Sequence, residues 1–213
     1  MRRKERYERL VAYFQEAMPE AETELKYENT FQLLCAVILS AQCTDKRVNM
    51  VSPALFRAFP TAEVMAGATR DEVLEYVKSV SYPNSKAEHL VQMARMLMER
   101  HGGEVPGDFD ELVALPGVGR KTANVMLSVA FHEARMAVDT HVFRVSHRIG
   151  LVPERCTTPY AVERELMRNI PEAFIGRAHH WLILHGRYVC KSLRPLCSQC
   201  GLRDFCAYNA KRR

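Results

Sequence analysis

Residues 107–131 read GDFDELVALPGVGRKTANVMLSVAF, and this stretch predicts two short helices joined by a glycine turn. Asp108 can cap the first helix, because its side chain can accept hydrogen bonds from the first turn. Leu115-Pro116 then ends this helix, since proline disrupts a helix interior. The second helix has one apolar face at helical spacing, formed by Ala123, Met126, Leu127 and Ala130. The local pattern is that of a helical hairpin.

The turn Gly117-Val118-Gly119 is suited to a close approach by a ligand. Two glycines allow backbone conformations closed to other residues, and the start of the second helix leaves N–H groups unpaired. Such a helix start can bind a phosphate, while the Val118 side chain can anchor the turn in the core. A Gly-x-Gly turn alone favours an ordinary helix corner without a ligand. Arg120 and Lys121 follow it here, so the sequence favours binding of a polyanion.

Helical periodicity recurs along the rest of the chain, without a convincing run of strand-like alternation. The predicted fold class is therefore all-α. Between residues 30 and 115 the helices are expected to be short, because proline and glycine positions punctuate the pattern. The expected interruptions are Pro53, Pro60-Thr61, Tyr82-Pro83-Asn84 and Gly102-Gly103.

Four cysteines lie close together in the last quarter of the chain: Cys190, Cys197, Cys200 and Cys206. Four thiolates at this spacing can surround one tetrahedral metal ion or one cubane cluster. Structural zinc sites usually bring two tight cysteine pairs together, whereas only Cys197 and Cys200 form such a pair. The spacing favours iron–sulfur over zinc and leaves zinc open. Two disulfides in an exported domain would need an export signal, and none is visible.

The amino-acid composition limits the class of protein to which the chain can belong. The chain has 213 residues, 47% of them hydrophobic, which is enough to bury a sizeable core. No apolar run approaches the roughly 20 residues that would span a bilayer. Three scattered cysteines beyond the four suit a reducing compartment, so a cytoplasmic protein is expected. The net charge of +5 is a mild bias toward polyanions, and basic residues concentrate near the first clustered cysteine and at the chain end: Arg187, Lys191, Arg194, Lys211, Arg212 and Arg213.

Several of these segments resemble one known family. Residues 115–123 (LPGVGRKTA) resemble the helix-hairpin-helix of the endonuclease III class of DNA glycosylases, and residues 138–144 (VDTHVFR) resemble its catalytic aspartate segment. The cysteine spacing matches the family's cluster loop, and residues 39–42 (LSAQ) and 84–87 (NSKA) also match. The resemblance covers nearly the whole chain in the family's order. It implies one 4Fe-4S cluster held by the four cysteines.

The resemblance also implies an architecture of two all-α lobes. Residues 23–133 are expected to form a six-helix barrel domain that ends in the helix-hairpin-helix. Residues 134–213 are expected to form the iron–sulfur cluster domain, with an N-terminal helix in residues 1–22 packing on it.

By the same resemblance, Lys121 is the nucleophile that attacks the sugar C1′ and forms a Schiff base. An amine suits this chemistry, because it displaces the base and then serves as an electron sink for strand cleavage. Asp139 is the family's carboxylate, expected to stabilise positive charge developing on the sugar and to help move the proton. Without the resemblance, Lys121 would be an ordinary surface charge and Asp139 an ordinary helix cap.

Base extrusion leaves a hole in the stack, and the resemblance places Gln42 and Tyr82 at the loops that fill it. The family often has Gly-Leu-Tyr before Asn-Ser-Lys, whereas this chain reads Ser81-Tyr82-Pro83, so its wedge is aromatic, as in the related adenine glycosylases. The remaining expected DNA contacts are Gly117, Val118, Gly119, Arg120, His141, Arg144 and Lys191.

The implied function is that of a bifunctional DNA glycosylase/AP lyase that removes oxidised pyrimidines. Lys121 and the end of the chain soon after Cys206 favour this enzyme over the adenine glycosylases. The expected partner is double-stranded DNA with damaged bases or abasic sites, bound by a nucleoid-associated monomer without membrane contact. Two alternatives stay open: a mismatch- or purine-directed glycosylase, and a non-catalytic, redox-sensing iron–sulfur DNA-binding protein.

Overall fold

The structure is a computed structural model that describes residues 1–211. These residues form twelve α-helices and two 3₁₀ turns, with no β-strand among them. The predicted all-α class is confirmed. Arg212 and Arg213, part of the basic run expected at the chain end, lie outside the described residues.

The chain divides into two compact units. We call Glu24–Phe131 the hairpin unit, because it contains the predicted hairpin. We call Met1–Thr23 with the segment that begins at His132 the cysteine unit, because it contains the four clustered cysteines.

One buried helix, α2 (Thr30–Ser40), lies at the centre of the hairpin unit. Its helices are α2 (Thr30–Ser40), α3 (Asp45–Ala58), α4 (Ala62–Ala66), α5 (Arg70–Val77), α6 (Pro83–His101), α7 (Phe109–Ala114) and α8 (Arg120–Val129). Every residue from 31 to 39 of α2 is buried, and all of them except Gln32 are apolar. It packs against α3, α6 and α8.

Three of the four predicted interruptions are confirmed, and one is wrong. Helices end or begin at 58–62, at 82–83 and at Gly102, where φ of 60° ends α6 in the left-handed conformation that glycine tolerates. Pro53 instead lies inside α3. A proline there costs about 3 kcal/mol. Burial of Val48, Leu55 and Phe56 along the same helix offsets this cost, so packing overrides the local signal.

The cysteine unit joins the first helix to the C-terminal part of the chain. Its helices are α1 (Arg3–Ala17), α9 (Thr140–Ile149), α10 (Pro159–Asn169), α11 (Ile175–Tyr188) and α12 (Ala207–Ala210), with 3₁₀ turns at Glu172–Phe174 and Cys197–Gln199. Trp181 of α11 is fully buried and stacks on Phe14 of α1 with ring centroids 5.6 Å apart. Its indole N–H donates to Met18 O at 2.8 Å. This aromatic pair and its hydrogen bond fix α1 on the core of the unit.

Candidate functional site

The predicted hairpin is present and is closed by local hydrogen bonds. The Asp108 side chain accepts from the N–H groups of Asp110 and Glu111 at 2.9 and 3.0 Å, so it caps α7. Helix α7 ends at Ala114, directly before Leu115-Pro116. The predicted cap and the predicted end of the first helix are both confirmed.

The two glycines of the turn have different roles. Gly117 has φ of 79°, and a Cβ placed there would lie 2.9 Å from the His89 Cβ. Both the backbone and the space therefore require glycine. A Cβ on Gly119 would meet nothing within 4 Å. Val118 between them is buried and its N–H donates to Leu115 O at 3.1 Å, as expected of an anchor.

The start of α8 has no side-chain cap. Gly119 is its N-cap residue and supplies no side-chain hydrogen bond. The first N–H groups of a helix carry a partial positive charge, which is favourable for an anion. Arg120 and Lys121 are exposed on the first turn, and the Arg120 guanidinium lies 5.0 Å from the centroid of the Phe109 ring. Basic groups and uncapped N–H groups thus occur at the same helix end.

Asp139 is the N-cap of α9 in the cysteine unit. Its Oδ1 accepts from Val142 N at 2.8 Å, so the ordinary interpretation of this aspartate as a helix cap is correct. This cap bond uses one of the two carboxylate oxygens. The residue is half-buried. One oxygen is therefore used to hold the helix, and the second is available for another role.

The structure gives Arg144 a set of partners within the protein. Its guanidinium donates to Gly186 O at 2.8 Å and to Cys190 O at 3.1 Å, and it lies 3.2 Å from His141 Nδ1. Burial lowers the pKa of Arg144. His141 and Arg144 are half-buried on α9. DNA contact by these two residues stays a prediction.

The turns of Gln42 and Tyr82 are adjacent. Ser81 Oγ donates to Gln42 O at 2.7 Å, which joins the two turns directly. Gln42 and Tyr82 are both exposed, Tyr82 to 64%. Both have positive φ, 53° and 54°. Such a conformation costs roughly 1–2 kcal/mol in a residue other than glycine, so the surrounding structure must hold it.

Lys86 is a residue of this region that sequence reasoning did not place in the site. It is buried, and its Nζ donates to Leu39 O at 2.8 Å and Ala41 O at 2.7 Å. These carbonyls end α2, one residue before Gln42. The only signal in the sequence is the match of residues 84–87 to the family's Asn-Ser-Lys-Ala segment.

The four clustered cysteines lie near one another in the cysteine unit, and each is a half-buried free thiol. The pKa of Cys200 is raised to about 11, mainly by burial and to a smaller extent by the other three thiols. Burial also raises the pKa of Cys206. In the positions given by the structure, no group of three or more His, Cys, Asp or Glu side chains within residues 1–211 could hold a metal ion.

Residues 190–206, which we call the cysteine segment, are held by side chains of α9 and α11. The Arg148 guanidinium donates to Lys191 O at 2.7 Å, to Ser192 O at 2.9 Å and to Cys190 Sγ at 3.6 Å. His185 Nε2 lies 3.7 Å from Cys200 Sγ. Burial lowers the pKa of His185 to about 4, so its imidazole is neutral at pH 7. The exposed Lys191 side chain is thereby carried on a fixed backbone.

Comparison with known proteins gives a consistent relationship. Residues 35–172 match the model of the HhH-GPD superfamily of base excision DNA repair proteins. The chain is 46% identical over 200 residues to endonuclease III of Rickettsia felis, covering 94% of this chain and 93% of that protein. It is 43% identical over 202 residues to endonuclease III of Escherichia coli K12, covering 95% of both chains.

Solved structures agree with this relationship. A trapped covalent intermediate of endonuclease III with DNA, an estranged-adenine complex, has a TM-score of 0.94 at 40% identity, covering 100% of this chain and 99% of that one. A thermostable thymine-DNA glycosylase has a TM-score of 0.87 at 21% identity, covering 97% and 98%, and shares the fold. No helix within residues 1–211 is both long and apolar enough to cross a membrane. The resemblance carried by the hairpin, the aspartate segment and the cysteines is confirmed, and the chain belongs to the endonuclease III family.

Proposed function

We propose that this protein is a bifunctional DNA glycosylase/AP lyase of base excision repair. It removes oxidised pyrimidines of the thymine glycol type from duplex DNA and cleaves the resulting abasic site. The observation that carries the proposal is the exposed Lys121 on the first turn of α8, beside an N-terminus without a side-chain cap. Relatives 43–46% identical over more than nine tenths of the chain are endonuclease III, which supports it.

DNA is bound through its backbone at the hairpin. The N–H groups at the start of α8, which have no side-chain cap, and the Arg120 guanidinium are the donors for a phosphate. Endonuclease III–DNA complexes of the same fold support DNA as the partner. Contacts to phosphates give affinity without sequence preference, which suits an enzyme that must find lesions in any sequence.

Lys121 supplies the nucleophile. Its neutral amine attacks C1′ of the damaged nucleotide, the glycosidic bond breaks, and the base leaves with its electron pair and a proton. Loss of the sugar ring C–O bond gives a protonated Schiff base. Removal of a proton from C2′ then expels the 3′ phosphate by β-elimination, because the iminium accepts the electrons. Hydrolysis returns the free amine.

Asp139 carries a charge of the right sign for this reaction. Positive charge develops on the sugar as the base departs, and a fixed carboxylate stabilises it. Its Oδ1 is held by the N–H of Val142, so the carboxylate is oriented before substrate binds. Oδ2 is the oxygen that faces the sugar or moves its proton.

The donor chemistry of the four cysteines suits a 4Fe-4S cluster. Their donor set is four thiols, and burial raises the pKa of Cys200 and Cys206, so ionisation of these two thiols is disfavoured unless a cation compensates the charge. Cys190, Cys197, Cys200 and Cys206 would hold it. When bound, the cluster supplies iron–thiolate bonds that tie the cysteine segment together. The lysine chemistry needs no electron transfer, so the role of the cluster is structural.

The test is borohydride trapping on a duplex that contains thymine glycol. We expect a covalent adduct and base release with the wild type, and neither with Lys121→Ala. Lys78→Ala is the matched control, because Lys78 is an exposed lysine of the same unit, paired with Glu75 at 2.6 Å. It should trap like the wild type. A covalent adduct formed by Lys121→Ala would show that Lys121 is not the nucleophile.

A mismatch- or purine-directed glycosylase is the second candidate, favoured by the aromatic Tyr82, which is 64% exposed in its turn. The same trapping experiment with adenine opposite 8-oxoguanine and with a thymine–guanine mismatch distinguishes the two. Base release from either duplex, without release of thymine glycol, would favour this candidate. Tight binding without trapping on any duplex would favour a non-catalytic DNA-binding protein.

A further inference from the structure

Lys86 is a charged residue in the interior of the hairpin unit. It lies near the start of α6 and is 5% exposed, the only lysine among residues 1–211 that is buried. Its Nζ donates to Leu39 O and Ala41 O, at 2.8 and 2.7 Å. Burial lowers the pKa of Lys86, and the nearby Cys43 thiol opposes this effect. Helix α6 therefore places a positively charged group against the C-terminal carbonyls of α2.

The position explains why a cation is tolerated there. The last carbonyls of α2 have no helical partner and form the negative end of the helix dipole. An ammonium satisfies two of them at once. A methionine would fill similar space without the cost of removing a charge from water. The hydrogen bonds, rather than the packing, are therefore what this lysine adds.

The same residue is bonded to both exposed turns. Its ammonium holds Ala41 O, directly before Gln42, and its backbone N–H donates to Tyr82 O at 3.1 Å. Ser81 Oγ donates to Gln42 O at 2.7 Å and completes the connection. Gln42 and Tyr82 have φ of 53° and 54°, conformations that need support from neighbours. Lys86 supplies that support to the first turn by its side chain and to the second by its backbone.

We propose that Lys86 is a positioning residue whose ammonium holds the Gln42 turn directly, and the Tyr82 turn through the Ser81 bond to Gln42 O, so that both are ready to fill the space left by an extruded base. This inference rests on the proposed function, which gives Gln42 and Tyr82 that task. Without the ammonium, Ala41 O loses its partner and the Gln42 turn is free to relax to negative φ. The turn must then become ordered when its side chain inserts into DNA, and this ordering costs free energy that the preorganised turn does not lose.

The test compares two duplexes under single-turnover conditions at saturating enzyme. In one, thymine glycol is paired with adenine; in the other, it lies in a single-nucleotide bulge, where extrusion breaks no base pair. We expect Lys86→Met to lower the base-release rate about tenfold on the paired lesion and less than about twofold on the bulged lesion. Lys78→Met is the matched control for loss of one positive charge, and both of its rates should equal those of the wild type.

Each outcome decides the inference. A selective loss on the paired lesion supports it, because a fold defect would lower the two rates together through the fraction of folded protein. Equal losses on both duplexes, or rates equal to those of Lys78→Met, overturn it and leave the proposed function standing. A wild type inactive on both duplexes overturns the proposed function and this inference with it.

Ser81→Ala keeps the inference testable if Lys86→Met does not fold. Ser81 is half-exposed, and the change removes only the hydrogen bond from its Oγ to Gln42 O. Because Lys86 remains, we expect a smaller selective loss in the same direction, about threefold on the paired lesion. A paired-to-bulged ratio equal to that of the wild type would overturn the proposed coupling between the two turns.

Discussion

The hairpin of residues 107–131 and the cysteine segment of residues 190–206 are held in opposite ways. The hairpin is closed by bonds between near neighbours, such as Asp108 to Glu111 and Val118 to Leu115. The cysteine segment is held from α9, by Arg148 bonds to Lys191 O and Ser192 O across 43 and 44 residues of sequence. The hairpin is thus a self-contained motif, whereas the cysteine segment depends on distant partners and on what its thiols bind.

The difference matters for function because Asp139 is the N-cap residue of α9. Arg144 and Arg148 on the same helix bond to the backbone at residues 186–192. Any disturbance of the cysteine segment therefore acts on the helix that positions the carboxylate. The lysine of the hairpin lies on α8, whose apolar face packs against α2 within the hairpin unit.

The largest expected effect is that of Cys197→Ser. It removes one thiolate of the proposed cluster, so we expect loss of iron and of the visible cluster absorbance, with a cost of about 4 kcal/mol or more in free energy of unfolding. Amide hydrogen exchange should rise in the cysteine segment and α9, while the hairpin keeps its protection. Cys43→Ser, a half-buried cysteine outside the segment, is the control. Full protection of the cysteine segment in Cys197→Ser would contradict the comparison.

The hairpin could be predicted because its causes are local. Asp108 as a cap, Leu115-Pro116 as a stop and the apolar face of the second helix are readable from neighbouring letters, and each is present. The family assignment followed from those letters and from the cysteine spacing, and it is confirmed. Helix starts and stops are the most directly predictable features, because they depend on residues that are adjacent in the sequence.

The features that escaped prediction depend on tertiary structure. Pro53 stays inside α3 because buried neighbours offset its cost. The left-handed conformations of Gln42 and Tyr82 belong to residue types that rarely adopt them, so only their neighbours explain them. Lys86 has the ordinary appearance of a surface lysine until the burial of its side chain is known. Each of these depends on partners distant in sequence.

Gly117→Ala should have the next largest effect, and it breaks the self-contained motif. An alanine at φ of 79° costs roughly 1–2 kcal/mol, and its Cβ would lie 2.9 Å from the His89 Cβ. Together we expect a loss of about 2–3 kcal/mol in urea denaturation. Hydrogen exchange should now rise in α7 and α8 and not in the cysteine segment, the reverse of the pattern for Cys197→Ser. A uniform rise across both regions would mean that the hairpin is not self-contained.

Gly119→Ala should have the smallest effect on stability and sharpens the same contrast. Its φ of −100° is open to any residue, and a Cβ there meets nothing within 4 Å, so we expect a change of at most about 1 kcal/mol. The added methyl projects into the open space at the start of α8. If a phosphate approaches those N–H groups, the dissociation constant for an abasic duplex should rise about tenfold, equivalent to about 1.4 kcal/mol.

The salt dependence of binding separates this steric effect from a loss of charge. Gly119→Ala removes no cation, so the slope of log affinity against log salt should equal that of the wild type in fluorescence anisotropy titrations. Arg120→Gln is the comparison variant, because loss of one phosphate contact reduces the slope by about 1. Wild-type affinity in Gly119→Ala would mean that DNA does not approach the start of α8. The hairpin would then be a rigid support for Lys121 rather than a contact to the backbone.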